Sequence, residues 1–146
     1  MKSPRFSLQA VLELREHARE AAEKAHAAAI KDRDVAAARV AEAARRLDEL
    51  TAMITGDRFP AYVREQGWTA LTAQRNLLHT LQARLAEEEQ KVAARLEALI
   101  LADRDHRLVL KLKEKWTAQR NAEALRHEEK QLEDFITANR FLQTAH

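Results

Sequence analysis

The sequence predicts an all-α protein: a long antiparallel two-helix coiled-coil hairpin with a C-terminal helical overhang. Three observations predict it. Two long stretches contain neither Gly nor Pro, the only two glycines, Gly56 and Gly67, stand around Pro60 between them, and apolar residues recur every seven positions. Gly raises the entropy cost of a helix, and Pro removes an amide donor and clashes with the preceding turn, so their segregation marks where the chain reverses. Ala, Leu, Glu, Lys, Arg and Gln, all strong helix formers, dominate the rest. With 33% charged and 5% aromatic residues in 146, there is little material for a globular core. Stability is therefore expected from a narrow seam within a single coiled-coil domain, residues 1–146.

Helix one is expected over about 5–54, with Ser3 as its N-cap and Pro4 following, where a missing amide hydrogen costs nothing because the first turn has no intrahelical acceptor. Its inner face carries Val40, Leu47 and Ile54 at heptad spacing, joined by Ala36, Ala43 and Leu50. Farther from the turn this seam thins to Ala18, Ala22, Ala25 and Ala29. Each of these buries roughly 2 kcal/mol less transfer energy than Leu, so the middle is expected to be less tightly held. The turn is expected over about 55–68, containing a short helical turn from Pro60 to Gln66 that Gly67 closes at its C-terminus. Helix two, about 69–142, repeats Leu71, Leu78, Leu85, Val92 and Leu99 every seven residues, with Leu81 and Leu96 on the same side. Glu20 with Lys24, Glu42 with Arg46 and Glu87 with Lys91 stand four apart and support the helix surfaces.

With the turn centred near Ala61, residues whose numbers sum to about 123 lie level. Leu8 then falls near Lys115, Phe6 and Trp116 meet at the open end, and everything beyond about Ala118 overhangs. Leu125, Leu132 and Ile136 lie on that overhang without an internal partner. The aromatics gather at the ends: Phe59, Tyr62 and Trp68 at the turn, Phe6 and Trp116 at the open end, Phe135 and Phe141 on the overhang. Two readings stand side by side, that these rings plug the ends of a thin coil and that exposed ones anchor a partner.

Composition excludes several classes of chemistry. Without Cys there is neither a disulfide nor a thiolate metal site, and two glycines cannot build a phosphate-cradling loop. The only serines, Ser3 and Ser7, have no evident base, so no enzyme activity and no cofactor are expected. Glu23 and His26 form one Glu-x-x-His pair where a di-iron bundle needs two, and no two histidines share HExxH spacing. The N-terminus lacks the apolar core of a signal peptide, and no apolar run approaches the ~18 residues of a membrane span, so a cytoplasmic protein is expected. The densest basic patch, His106–Lys115, sets Arg107, Lys111 and Lys115 four apart, the one feature favouring an RNA-binding hairpin. Glu114 interrupts it, Glu128, Glu129, Glu133 and Asp134 follow, and the net charge is only +2, so a protein partner is preferred to nucleic acid.

The N-terminal RFSLQAVLELREHAREAAEKA, with Phe6, Leu8, Val11, Leu12, Arg15 and Ala22, is similar to the opening of FliJ-type flagellar export proteins. Lys113, Glu114 and Lys115, then Glu128, Glu129, Lys130, Leu132 and Asp134, resemble that family's closing helix. Length and hairpin layout agree over the whole chain, whereas the aromatic turn from Phe59 to Trp68 has no family match. The resemblance implies a non-enzymatic stalk of a flagellar type III protein export apparatus. Such a stalk associates with the hexameric export ATPase much as the γ subunit does in rotary ATP synthases, contacts the export gate protein and handles substrate chaperones. It also implies a place at the inner face of the cell membrane, held there only through the apparatus. By that analogy the open end enters the ring, using Phe6, Arg15, Arg107, Lys111, Lys115, Trp116 and Arg120. The YscO-type stalk of virulence secretion systems shares the design and is the nearest alternative, with a generic coiled-coil scaffold behind it.

Overall fold

A computed structural model describes residues 4–56 and 59–144. Two helices, α1 (Gln9–Thr55) and α2 (Ala61–Thr144), account for nearly all of them, pack against each other, and leave no strand among the described residues. The all-α two-helix hairpin expected from the breaker pattern is the fold observed. The chain divides into two compact units, Met1–Ala18 with Asp103–His146, and Arg19–Ala102.

Both helix starts differ from expectation. α1 begins at Gln9, not near Arg5, because Phe6 is buried and holds the preceding segment out of helical geometry. Phe6 O accepts from Gln9 N at 3.0 Å, and the first helical bond, Leu12 N to Leu8 O, is 2.8 Å. The expected N-cap, Ser3, lies outside the described residues. At the reversal the turn is much shorter than 55–68. Pro60 O accepts from Val63 N and Arg64 N, both at 3.1 Å, and the helix then runs on through Gly67.

Gly67 is therefore not a C-cap. No glycine has positive φ, so its role lies in size: a Cβ there would stand 2.9 Å from Ile54 Cγ1 and 3.3 Å from Cδ1. The absent side chain lets α2 approach α1 at the first level of the seam. Just beyond, Leu71 is the most deeply buried large side chain, 2% exposed.

In the Arg19–Ala102 unit the heptad frame of α2 holds, with Leu71, Leu78, Leu85, Val92 and Leu99 all buried or half-buried. The intervening seam positions are filled by Gly67, Gln74, Leu81 and Glu88. Leu96, expected on this side, falls one residue past the frame and is 42% exposed. From α1 the seam receives Ala29, Ala36, Ala43 and Ile54, all buried, with Val40, Leu47 and Leu50 half-buried. Alanines at the contact bring the backbones close enough for Gln74 Nε2 to donate to Ala43 O across the interface, at 3.1 Å.

The surface carries a charge ladder, and in two of the three expected pairs the closest partner is one residue away from the one expected. Arg45 bridges Glu42 at 2.6 Å and Glu49 at 2.8 Å, where Arg46 was expected to meet Glu42. Lys91 approaches Glu88, not Glu87, at 3.4 Å. Glu88 is turned into the seam, and burial draws cationic neighbours toward it.

Candidate partner-binding site

All seven residues expected to serve a partner lie in the unit formed by the N-terminal segment and the later part of α2. The geometry separates them into two groups.

Phe6, Trp116 and Arg120 form one closed cluster. The Phe6 and Trp116 rings lie 5.7 Å apart at 51°, a tilted contact of the kind that aromatic quadrupoles favour. The Arg120 guanidinium sits 5.1 Å over the Trp116 ring, and its Nη1 donates to Pro4 O at 3.0 Å. Arg120 thereby clamps the extended segment onto α2 through a cation–π contact and a charge-assisted hydrogen bond. With Leu12 buried nearby, these rings plug the coil, as one of the two sequence readings holds, and Trp116 is only half-exposed.

The second group presents charge. Arg15 Nη1 meets Asp105 Oδ2 across the helices at 3.5 Å, an exposed pair that helps to fix register. Arg107 Nε donates to Asp103 Oδ2 at 2.9 Å, one helical turn back, and remains largely exposed. Lys111 and Lys115 are exposed and have no ion-pair partner among the described residues. Of the seven, these two are the cations most available to a partner.

At the turn the plug reading fails for two of the three rings. Tyr62 is 67% exposed and Trp68 54%. Phe59, 37% exposed, lines a cavity of about 30 Å³ with Leu50, Met53, Ile54, Val63 and Gly67, and is the only one of the three to line that end of the seam. Ile54 and Leu71 are buried at this end, where Gly67 lets the helices come close.

Glu88 escaped the sequence reading. It is 4% exposed, its Oε1 accepts from Arg84 Nε at 3.2 Å and from Lys91 Nζ at 3.4 Å, and its buried Oε2 has no hydrogen-bond partner. Continuing the Leu71, Leu78, Leu85 frame by three residues would have found it. Glu23 and His26 recruit no third ligand: no group of three His, Cys, Asp or Glu side chains able to hold a metal ion converges among the described residues. No helix among them is long and apolar enough to cross a membrane.

Beyond Ala122 every described residue of α2 is exposed, Leu125, Leu132 and Ile136 included. The overhang exists as a helix, begins past Ala122 and not Ala118 because Arg120 still holds Pro4, and has no internal partner among the described residues. Comparison with protein-family models, with curated proteins and with solved structures returns no match.

Proposed function

We propose that the chain is a non-enzymatic stalk of a flagellar type III protein export apparatus. It binds the hexameric export ATPase and the export gate protein, assists delivery of chaperoned substrates, and is held at the inner face of the membrane through those partners. The observation that carries this reading is the clamped open end. The start of the N-terminal segment and the stretch next to Lys113, Glu114 and Lys115, both similar to the FliJ family, come together there, with Phe6 against Trp116 and Arg120 tying Pro4 to α2.

The clamp divides labour between the residues. Phe6, Trp116 and Arg120 fix the extended segment on α2, and Arg107, Lys111 and Lys115 offer charge to an acidic surface of the ATPase. Exposed cations at a rim govern association rate and orientation more than final affinity.

The test is reconstitution of the export ATPase with the full chain, comparing the native sequence with Lys111→Glu combined with Lys115→Glu. Stimulation of ATP hydrolysis is expected to fall about tenfold, with the helical circular-dichroism signal unchanged, because two exposed charges reverse without disturbing the seam. Undiminished stimulation, or none from the native chain, would sink the assignment.

A further inference from the structure

Residues 123–144 are helical and wholly exposed, and they carry a seven-residue apolar pattern of their own, out of frame with the Leu71, Leu78 and Leu85 seam of α2. Leu125, Glu128, Leu132, Phe135, Asn139 and Leu142 follow one another at alternating spacings of three and four, the spacing of a coiled-coil seam, and share one helix face. The four apolar members are between 57% and 64% exposed, with Ile136 beside them at 45%. Together they show on the order of 500 Å² of apolar surface, the size of the largest patch on a typical soluble monomer and one that often marks an interaction site.

The order of this stripe is palindromic: apolar, polar, apolar, apolar, polar, apolar. In an antiparallel helix pair each seam residue faces a residue of the other class of seam position. A two-fold axis between 133 and 134 therefore sets Leu125 opposite Leu142 of a second copy, Leu132 opposite Phe135, and Glu128 opposite Asn139. Each pairing occurs twice. Apolar residues meet only apolar ones, and the one carboxylate meets an amide able to donate to it. A parallel pair would stack Glu128 on Glu128, and an antiparallel pair displaced by one heptad would set Phe135 against Asn139. Polar layers of this kind, two of them here, fix register and orientation in coiled coils.

We propose that residues 125–142 form an isologous antiparallel interface with the same residues of a second copy of this chain. The interface uses none of the residues assigned to the ATPase and does not depend on that assignment. About 1,000 Å² buried in total lies at the low end for protein pairs, so the dimer is reversible, with a dissociation constant on the order of 10–100 µM.

Sedimentation equilibrium of the full chain, from about 1 µM to about 500 µM, tests it. The native chain is expected to pass from monomer to dimer over this range. Leu132→Asp combined with Phe135→Asp is expected to weaken association at least tenfold while the seam between α1 and α2 stays folded by circular dichroism. Orientation is read by cysteine cross-linking, which the cysteine-free sequence makes clean. Under oxidation an equal mixture of Leu125→Cys and Leu142→Cys chains is expected to give mixed dimers, and neither chain alone to do so efficiently. A chain monomeric throughout would leave the stripe to some other protein and overturn the proposal. So would a dimer indifferent to the aspartates, or efficient cross-linking of Leu125→Cys chains with one another.

Discussion

A methyl group added at residue 67 would stand 2.9 Å from Ile54 Cγ1, a carbon with little freedom because Ile is branched at Cβ. Gly67→Ala is accordingly expected to destabilise the hairpin by about 1–2 kcal/mol despite the helix-propensity gain. In an Ile54→Ala background the same change is expected to stabilise by up to about 1 kcal/mol. A double-mutant cycle by urea denaturation reads this reversal of sign. Glu88 makes the opposite case, a polar side chain where apolar volume fits. Its Oε2 is buried without a partner, so Glu88→Leu is expected to raise stability by about 1–3 kcal/mol in thermal unfolding. Glu42 supplies a pH dependence of known sign. Its hydrogen bond and ion pair with Arg45 hold the carboxyl below its ordinary value of 4.5. A depressed folded-state pKa contributes stability that is present above the unfolded value and disappears as pH falls through the folded one. The difference in melting temperature between the native chain and Glu42→Gln should therefore be present at neutral pH and vanish in acid.

At the scale of elements, the two helices and their heptad frames were legible because periodicity and the placement of breakers act locally. Leu71, Leu78, Leu85, Val92 and Leu99 needed no tertiary information to be put on one face. What sequence could not supply was the reason for each breaker. Gly67 reads as a stop when only its own backbone is considered, and as a close-contact residue once Ile54 stands opposite. The start of α1 was displaced for a related reason: nothing local in residues 5–8 forbids helix, and it is the contact with Trp116 that draws Phe6 away. The open-end pairing of Phe6 with Trp116 was nonetheless visible from level-matching, whereas the clamp of Arg120 on Pro4 O was not. Trp116→Ala removes the surface on which both Phe6 and Arg120 rest. It is expected to cost about 2–3 kcal/mol and to open residues 4–8 to proteolysis, measured by cleavage rate in limited digestion. The overhang had been legible as a consequence of unequal arms, because counting residues from the turn requires no knowledge of packing.

For the molecule as a whole, the thin seam sets the thermodynamics. The chain exposes 11969 Å², against about 7,600 Å² for a compact monomer of its mass, and folding removes only about half of the unfolded chain's surface instead of about 70%. Denaturant sensitivity follows area exposed on unfolding, so the urea m-value is expected to be about three quarters of that of a compact domain of this length. Chemical denaturation followed by circular dichroism measures it, and a value at or above the compact-domain figure would contradict the geometry described. The same economy of contact has a mechanical side within the Arg19–Ala102 unit. Ala29, Ala36 and Ala43 present three identical methyl groups at equal intervals, and a surface that repeats itself every heptad carries no record of axial position. Taken alone, that row of methyl groups is a smooth rail; Val40 and Leu47 beside it and the α2 seam residues Gln74, Leu81 and Glu88 differ from level to level, so a seven-residue step would not restore the same contacts. Position is set by these residues and by two detents, Gly67 seated against Ile54 and Gln74 latched to the Ala43 carbonyl, so the sliding stiffness of the pair resides in those groups and not in the alanine row.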